Sequence, residues 1–392
     1  MTTNTITVKK AYEYSSPSLQ SHEAILALIQ ENSLTTNGFY HYKELIDHTF
    51  TAVVSPNNDT IYSAVLLDLR ESPQVFTVPD TDNRYISVMM TDLRVYNFDV
   101  LVQQPGKYLF AVKGYNGKVP GDVILYETES DILFFVVRTA VNGEEDIPKV
   151  LQIQDAMTIE PLNPVADNHK PLDAPPIEDH WVIRMQWILE HSPALHPNDK
   201  DMADYIKTLT PNDENKQIGE ETRTELLDYG NTLTDTKDIY GKRKNITVYD
   251  STRAASNLYQ HLALENERAA YPKISTDADE NPLVGSRRYT FTMPAESPVK
   301  DLGFWSFTVY VTESKQFVPN DEKRYRISDS IGEPNADGTV TITIGGVNDG
   351  TKNWLPLTND DKEWYALLRL YEGKSEVVEE KWEVPKIVKI GI

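Results

Sequence analysis

The sequence predicts a mainly β protein with an α-helical middle segment: two sandwiches around a helical region. Three observations carry this. Short segments rich in β-branched and aromatic residues recur from Thr51 to Ala140, separated by turns bearing Pro, Asn and Gly. From Ile147 to about Tyr271 the apolar residues recur with a helical period. From Arg288 the strand signal returns.

The elements follow in order. Residues 1–19 have no period and many Ser and Thr, and read as an arm. Ser21 can cap a short helix that shows Ile25, Leu28 and Ile29 on one side, and Asn37-Gly38 breaks it. Seven strand-like segments follow: 51–55, 61–69, 74–78, 84–92, 107–112, 122–126 and 131–140. Their spacing suggests an antiparallel sandwich over 46–145. In the helical region, 146–272, Val150, Ile153 and Met157 share one face. After a Pro-rich stretch, Trp181, Met185, Ile188 and Leu189 share another. Segments from Asp201 and Glu220 are each ended by Pro or Gly, and 250–270 is the longest amphipathic stretch. A second sandwich occupies 273–392, with strands at 288–294, 303–311, 324–328, 339–345, 364–371 and 376–384. Alternation puts Trp305, Phe307 and Val309 on one face and Phe304, Ser306, Thr308 and Tyr310 on the other.

Of 392 residues, 38 are Lys or Arg and 60 are Asp or Glu, a net charge of −22, and there is no cysteine. Disulfides, zinc–cysteine sites, iron–sulfur clusters and cysteine nucleophiles are thereby excluded. So acidic a surface repels nucleic acid and anionic lipid. The longest apolar run, Ile132 to Val137, is far short of the ~20 residues of a membrane helix, so no membrane insertion is expected. The first residues lack an apolar signal segment, which places the chain in the cytoplasm if it is complete, or in a secreted or periplasmic setting if a signal peptide was removed. The expected partner is a small polar ligand or a saccharide, and a homo-oligomer is compatible with the composition.

Several blocks carry a resemblance. Val54-SPNNDTIYSAVLLDL, Val78-PDTDNRYISVMMTD, Phe135-VVRTAV and Leu151-QIQDAM resemble the domain of unknown function 1254. Gly303-FWSFTVY, Phe317-VPNDEKRYRIS, Pro334-NADGTVTITIGG, Asn353-WLPL and Leu367-LRLYEGKSEVVEEKWEVP resemble the domain of unknown function 1214. The two commonly occur together in this order. The resemblance implies an immunoglobulin-like N-terminal sandwich, a helical middle and a C-terminal jelly roll. It supplies no activity.

Four sets of residues are candidates for chemistry. The loop Asn57-Asn58-Asp59 with Tyr62 offers amides, a carboxylate and a phenol, suited to a sugar, a polar metabolite or a hard cation, or simply to turn capping. Asp277, Asp279 and Asn281 open like a calcium loop, but Pro282 and Arg288 stand where Gly and Glu are needed, so only a looser calcium or magnesium site is left and no cofactor is predicted. His261 and Glu265 would share a face if helical. Trp305, Tyr310, Arg324, Asn353, Trp354, Arg369 and Tyr371 would line a ligand-binding face of the second sandwich, with Arg369 inside an apolar strand and in need of an anionic or carbonyl partner. Two functions follow. One is a ligand-binding or interaction protein using a sandwich face or inter-domain cleft. The other is a carboxylate-based hydrolase or lyase, metal-assisted or not, with Asp59, Asp92 and Arg94 as catalytic candidates.

Overall fold

The computed structural model describes residues 6–50, 54–193, 197–232, 251–259, 261–348 and 350–391. The N-terminal strands form two sheets. The first contains β1 (Gly38–His41), β2 (Thr60–Asp68), β4 (Ile86–Asp92), β5 (Asn97–Val102) and β8 (Ile132–Ala140), ordered β1-β2-β8-β4-β5. The second contains β3 (Gln74–Val78), β6 (Gly106–Val112), β7 (Val123–Thr128) and β9 (Thr158–Pro161), ordered β7-β6-β3-β9. Val65, Leu67, Phe76, Phe110 and Phe135 form a core with residues of both sheets. Alternation sends Ala64, Leu66, Phe134 and Val136 to the opposite face, where they join a second core with the helices. All nine residues of β8 are buried. A strand covered on both faces has no polar side, which accounts for the unbroken run Ile132–Val137.

The helices are α1 (Val8–Asn32), α2 (Ile147–Asp155), α3 (Trp181–His191), α4 (Pro197–Thr208), α5 (Asp213–Thr232), α6 (Ser251–Tyr259) and α7 (Ser375–Val378). The expected faces of α2 and α3 are packed: Val150, Trp181, Met185, Ile188 and Leu189 are buried and Ile153 packs against the N-terminal core, whereas Met157, also buried, lies past the end of α2 and shares no helix face with them. The second sandwich pairs β10 (Ala269–Ala270), β11 (Lys273–Ile274), β13 (Val299–Val311), β14 (Arg326–Ser328) and β17 (Trp364–Gly373) in one sheet. Its other sheet holds β12 (Arg288–Met293), β15 (Val340–Ile344), β16 (Trp354–Leu355) and β18 (Val388–Gly391). Phe291, Phe307, Ile342, Ile344, Leu368 and Leu370 belong to the core of this sandwich. Tyr371, on the other face of its sheet, belongs instead to the core shared with the N-terminal sheet and the helices, and Phe304 packs against it. The protein is thus mainly β at both ends, with a helical middle region. Among the described residues no helix is long and apolar enough to cross a membrane.

Five local expectations change. The segment 1–19 is helical from Val8: Thr7 caps it, and Ser15, Ser16, Pro17 and Ser18 are buried in a helix that packs on α5 and α6. Tertiary packing overrides the poor intrinsic propensity of this run. The N-terminal sandwich is not wholly antiparallel, since β6 and β7 run parallel. Residues 376–384 begin as α7 and then turn, with Glu380 at φ 59 and Trp382 N–H donating to the Glu376 carbonyl, so no strand forms. The stretch expected as a helix to residue 270 ends at Tyr259, and Leu262 at φ 58 turns the chain toward β10. Glu265 therefore shares no helix face with His261; it accepts a hydrogen bond from Asn97 at 3.1 Å. The expected strand at 51–55 falls mostly on 51–53, outside the described residues, and Val54 and Ser55 are not strand.

Candidate functional site

The loop before β2 lies on the outer face of the β13–β17 sheet, and there the two sandwiches are stitched together. Register sets up the floor. Ser306 pairs with Arg369 and with Ser328, and Thr308 pairs with Arg326. Ser306 and Thr308 are small and fully buried, so the two arginines have room to extend over them. Arg369 Nη2 donates to the Ser55 carbonyl at 2.9 Å, the Pro56 carbonyl at 3.2 Å and the Tyr310 hydroxyl at 2.6 Å. Tyr310 in turn donates to the Pro56 carbonyl at 2.7 Å. Arg326 donates to the carbonyls of Asn58 at 2.5 Å and Val141 at 2.9 Å, and its Nε lies 3.2 Å from Asp59 Oδ1. Asp59 is 1% exposed. Asn57 Nδ2 reaches Tyr62 Oη at 3.0 Å and Tyr371 Oη at 2.9 Å, one hydroxyl from each sandwich. Asn58 Nδ2 donates to the Ile46 carbonyl. Burial raises the Tyr310 and Tyr371 phenols above their usual range, so both keep their protons.

Asn57, Asn58, Asp59, Tyr62, Tyr310, Arg369 and Tyr371, which the sequence offers as two separate candidate sets, therefore converge at this junction. The others do not. Thr60 pairs with Ala140 and Asp92 with Leu133, so Asp59 and Asp92 lie near opposite ends of β8, roughly 23 Å apart at ~3.3 Å per residue. Asp92 accepts from the backbone N–H of Arg94 and Tyr96, and Arg94 pairs with Asp199 at 2.6 Å. Trp305 points into the interior of the second sandwich. Arg324 donates to the Lys352 carbonyl. Asn353 bridges to the backbone of Glu333, and Trp354 donates to the Gly345 carbonyl at 3.1 Å. Asp277 Oδ1 accepts from the N–H groups of Asp279 and Asn281 and from Asn281 Nδ2, an Asx turn rather than an open oxygen cage. Among the described residues no three His, Asp or Glu side chains group as metal ligands do.

Sequence reasoning missed Arg326, two residues beyond Arg324, and Arg138. Arg138 carries the same signal that singled out Arg369, a cation inside an apolar strand.

Beside this junction a cleft of about 480 Å³ opens, lined by Asp99 and Val100 of β5, by Glu265, Glu267 and Arg268 between the domains, and by Lys300, Gly373, Ser375, Val378 and Glu379 of the second sandwich. A bulge builds one wall. The β13–β17 register jumps from Val299–Gly373 to Phe304–Tyr371, which throws Lys300 outward. Gly303 is required there, since a Cβ would stand 2.1 Å from the Tyr371 carbonyl oxygen. Glu372 anchors Arg268 at 3.2 Å and has Lys300 at 3.7 Å.

Comparison with known proteins places both sides of the junction in matched regions. The family described as protein of unknown function (DUF1254) matches residues 36–161, and the one described as protein of unknown function (DUF1214) matches residues 268–375. Among solved structures, the VPA0106 protein from Vibrio parahaemolyticus is similar at 22% identity and a TM-score of 0.76, over 98% of each chain, a likeness of fold. An uncharacterized protein from Burkholderia cenocepacia aligns over 97% of this chain and 88% of that one, at 12% identity and a TM-score of 0.47. No curated protein matches the sequence.

Proposed function

This chain belongs to the family that joins the DUF1254 and DUF1214 domains, and we propose that it is a ligand-binding protein that holds a small polar molecule in the cleft between its two sandwiches. The cleft itself carries the proposal. Its volume of about 480 Å³ falls in the range of roughly 300–1,000 Å³ typical of small-molecule sites. Both signs of charge line it: Asp99, Glu265, Glu267 and Glu379 against Arg268 and Lys300. Such a lining suits a molecule with several hydroxyls or with charges of both signs, a saccharide or a zwitterion. The buried Asp59–Arg326 pair and the bonds from Arg369 and Tyr310 to the Pro56 carbonyl fix the two sandwiches against each other, so the walls are set before a ligand arrives.

The alternative of a paired-carboxylate hydrolase or lyase has no comparable support, because Asp59 and Asp92 do not meet. Saturation-transfer NMR tests the proposal with a panel of monosaccharides, amino acids and small organic acids. Transfer to at least one compound is expected, with loss of that signal in Ser375→Trp, which fills the cleft from an exposed position. A panel with no binder, or one bound equally by the variant, contradicts it.

A further inference from the structure

One rung of the N-terminal sheet is crowded with hydrogen-bond donors around a buried arginine that no carboxylate pairs with among the described residues. Arg138 on β8 pairs with Tyr62 on β2 and with Ser87 on β4, so the three side chains share a face. That face turns toward the second sandwich, because Asn57 bridges the hydroxyls of Tyr62 and Tyr371. Arg138 is 6% exposed, and its guanidinium carbon stands 5.5 Å over the Tyr62 ring. Nη2 donates to the Leu262 carbonyl at 2.7 Å, while Nη1 has only the Met89 sulfur at 3.8 Å. Among the described residues no carboxylate pairs with it. Its charge is felt instead by the phenols of Tyr62, Tyr271, Tyr371 and Tyr85. A buried guanidinium without a counter-charge is costly.

The neighbouring hydroxyls have the same need. Tyr85 Oη and Ser87 Oγ are 5% and 0% exposed and have no well-aligned partner beyond each other among the described residues. Tyr62 and Tyr371 each accept from Asn57, which leaves each O–H hydrogen free to donate. One positive charge and hydroxyls from Tyr62, Tyr371 and the Tyr85–Ser87 pair on adjacent elements, with no acid among them, are complementary to a negatively charged oxygen group. A guanidinium matches a carboxylate in particular, two N–H groups to two oxygens.

We infer that Arg138, Tyr62, Ser87, Tyr85 and Tyr371 form a buried subsite for a compact carboxylate. The inference goes beyond the cleft proposal and uses different residues.

Formate is the probe. Melting is followed while sodium formate replaces sodium chloride at constant ionic strength. The expected result is a saturable rise in Tm. Arg138→Met abolishes it, and Ser87→Ala and Tyr62→Phe each weaken formate roughly tenfold, as loss of one hydrogen bond to a charged group does. If Arg138→Met does not fold, those two conservative variants carry the test. Equal Tm in formate and chloride overturns the inference, as does a formate response that all three variants retain. A response to phosphate without one to formate overturns the carboxylate assignment. Loss of cleft binding alone leaves the inference standing, and formate failure with cleft binding intact overturns it alone.

Discussion

A carboxylate that is 1% exposed, with Arg326 Nε at 3.2 Å and no well-aligned hydrogen bond of its own, is held in place by charge more than by geometry. Removing it strands a guanidinium that is 6% exposed. Asp59→Ala is therefore expected to destabilise the fold by about 3–5 kcal/mol, the usual cost of breaking a buried pair from one side. The denaturant midpoint measures it, and a loss under about 1 kcal/mol would show that the pair is not load-sharing between the sandwiches.

A second residue gives a pH signature. His22 is 2% exposed and accepts from Arg184 Nε at 3.3 Å. Burial first, and the Arg184 charge second, lower its pKa from 6.5 to about 4. The unfolded chain takes up a proton that the folded one refuses, so stability falls as pH drops from 6.5 and levels off below about 4. The swing is on the order of 3 kcal/mol. Between about pH 7 and pH 4.5 the native protein should lose more stability than His22→Asn; equal losses contradict the assignment. At this scale the sequence was partly legible. Arg369 was visible as a cation in an apolar strand, whereas Asp92 and Arg94 looked equally promising and differ only in the end of β8 to which register sends them.

Elements were legible where their period was strong. α3 and the strands from β12 to β15 carry their pattern openly. β10, β11 and β16 are two residues each and exist only because a longer neighbour pairs with them, so no local signal marks them. The bulge in β13 was equally hidden, although its glycine was in view. Gly303→Ala places a methyl group against the backbone of Tyr371 and is expected to cost about 1–3 kcal/mol through overpacking. The chevron or the equilibrium midpoint reads this directly, and an unchanged midpoint would mean that the bulge relaxes freely. Since the same bulge aims Lys300 into the cleft, weaker ligand binding should accompany the lost stability.

At the scale of the whole molecule, the helices and the outer faces of two sheets share one core, with Tyr371 contributed by the second sandwich and Phe304 packed against it. Each matched region supplies one side of the junction: the 54–59 loop and β8 on one, β13, β14 and β17 on the other. Order along the chain could announce two sandwiches but not how they face each other, because that depends on side chains some 250 residues apart, such as Tyr310 and Pro56. The net charge of −22 says little about the contact between the sandwiches, where Arg138, Arg326 and Arg369 are buried. The cleft beside this junction is the proposed place where a small molecule binds. The most direct test is a crystal of the protein soaked with a compound that scores in the NMR panel. Electron density for that compound is expected in the cleft, between Asp99 and Arg268. Density confined to an outer surface, with the cleft holding only solvent, would contradict it.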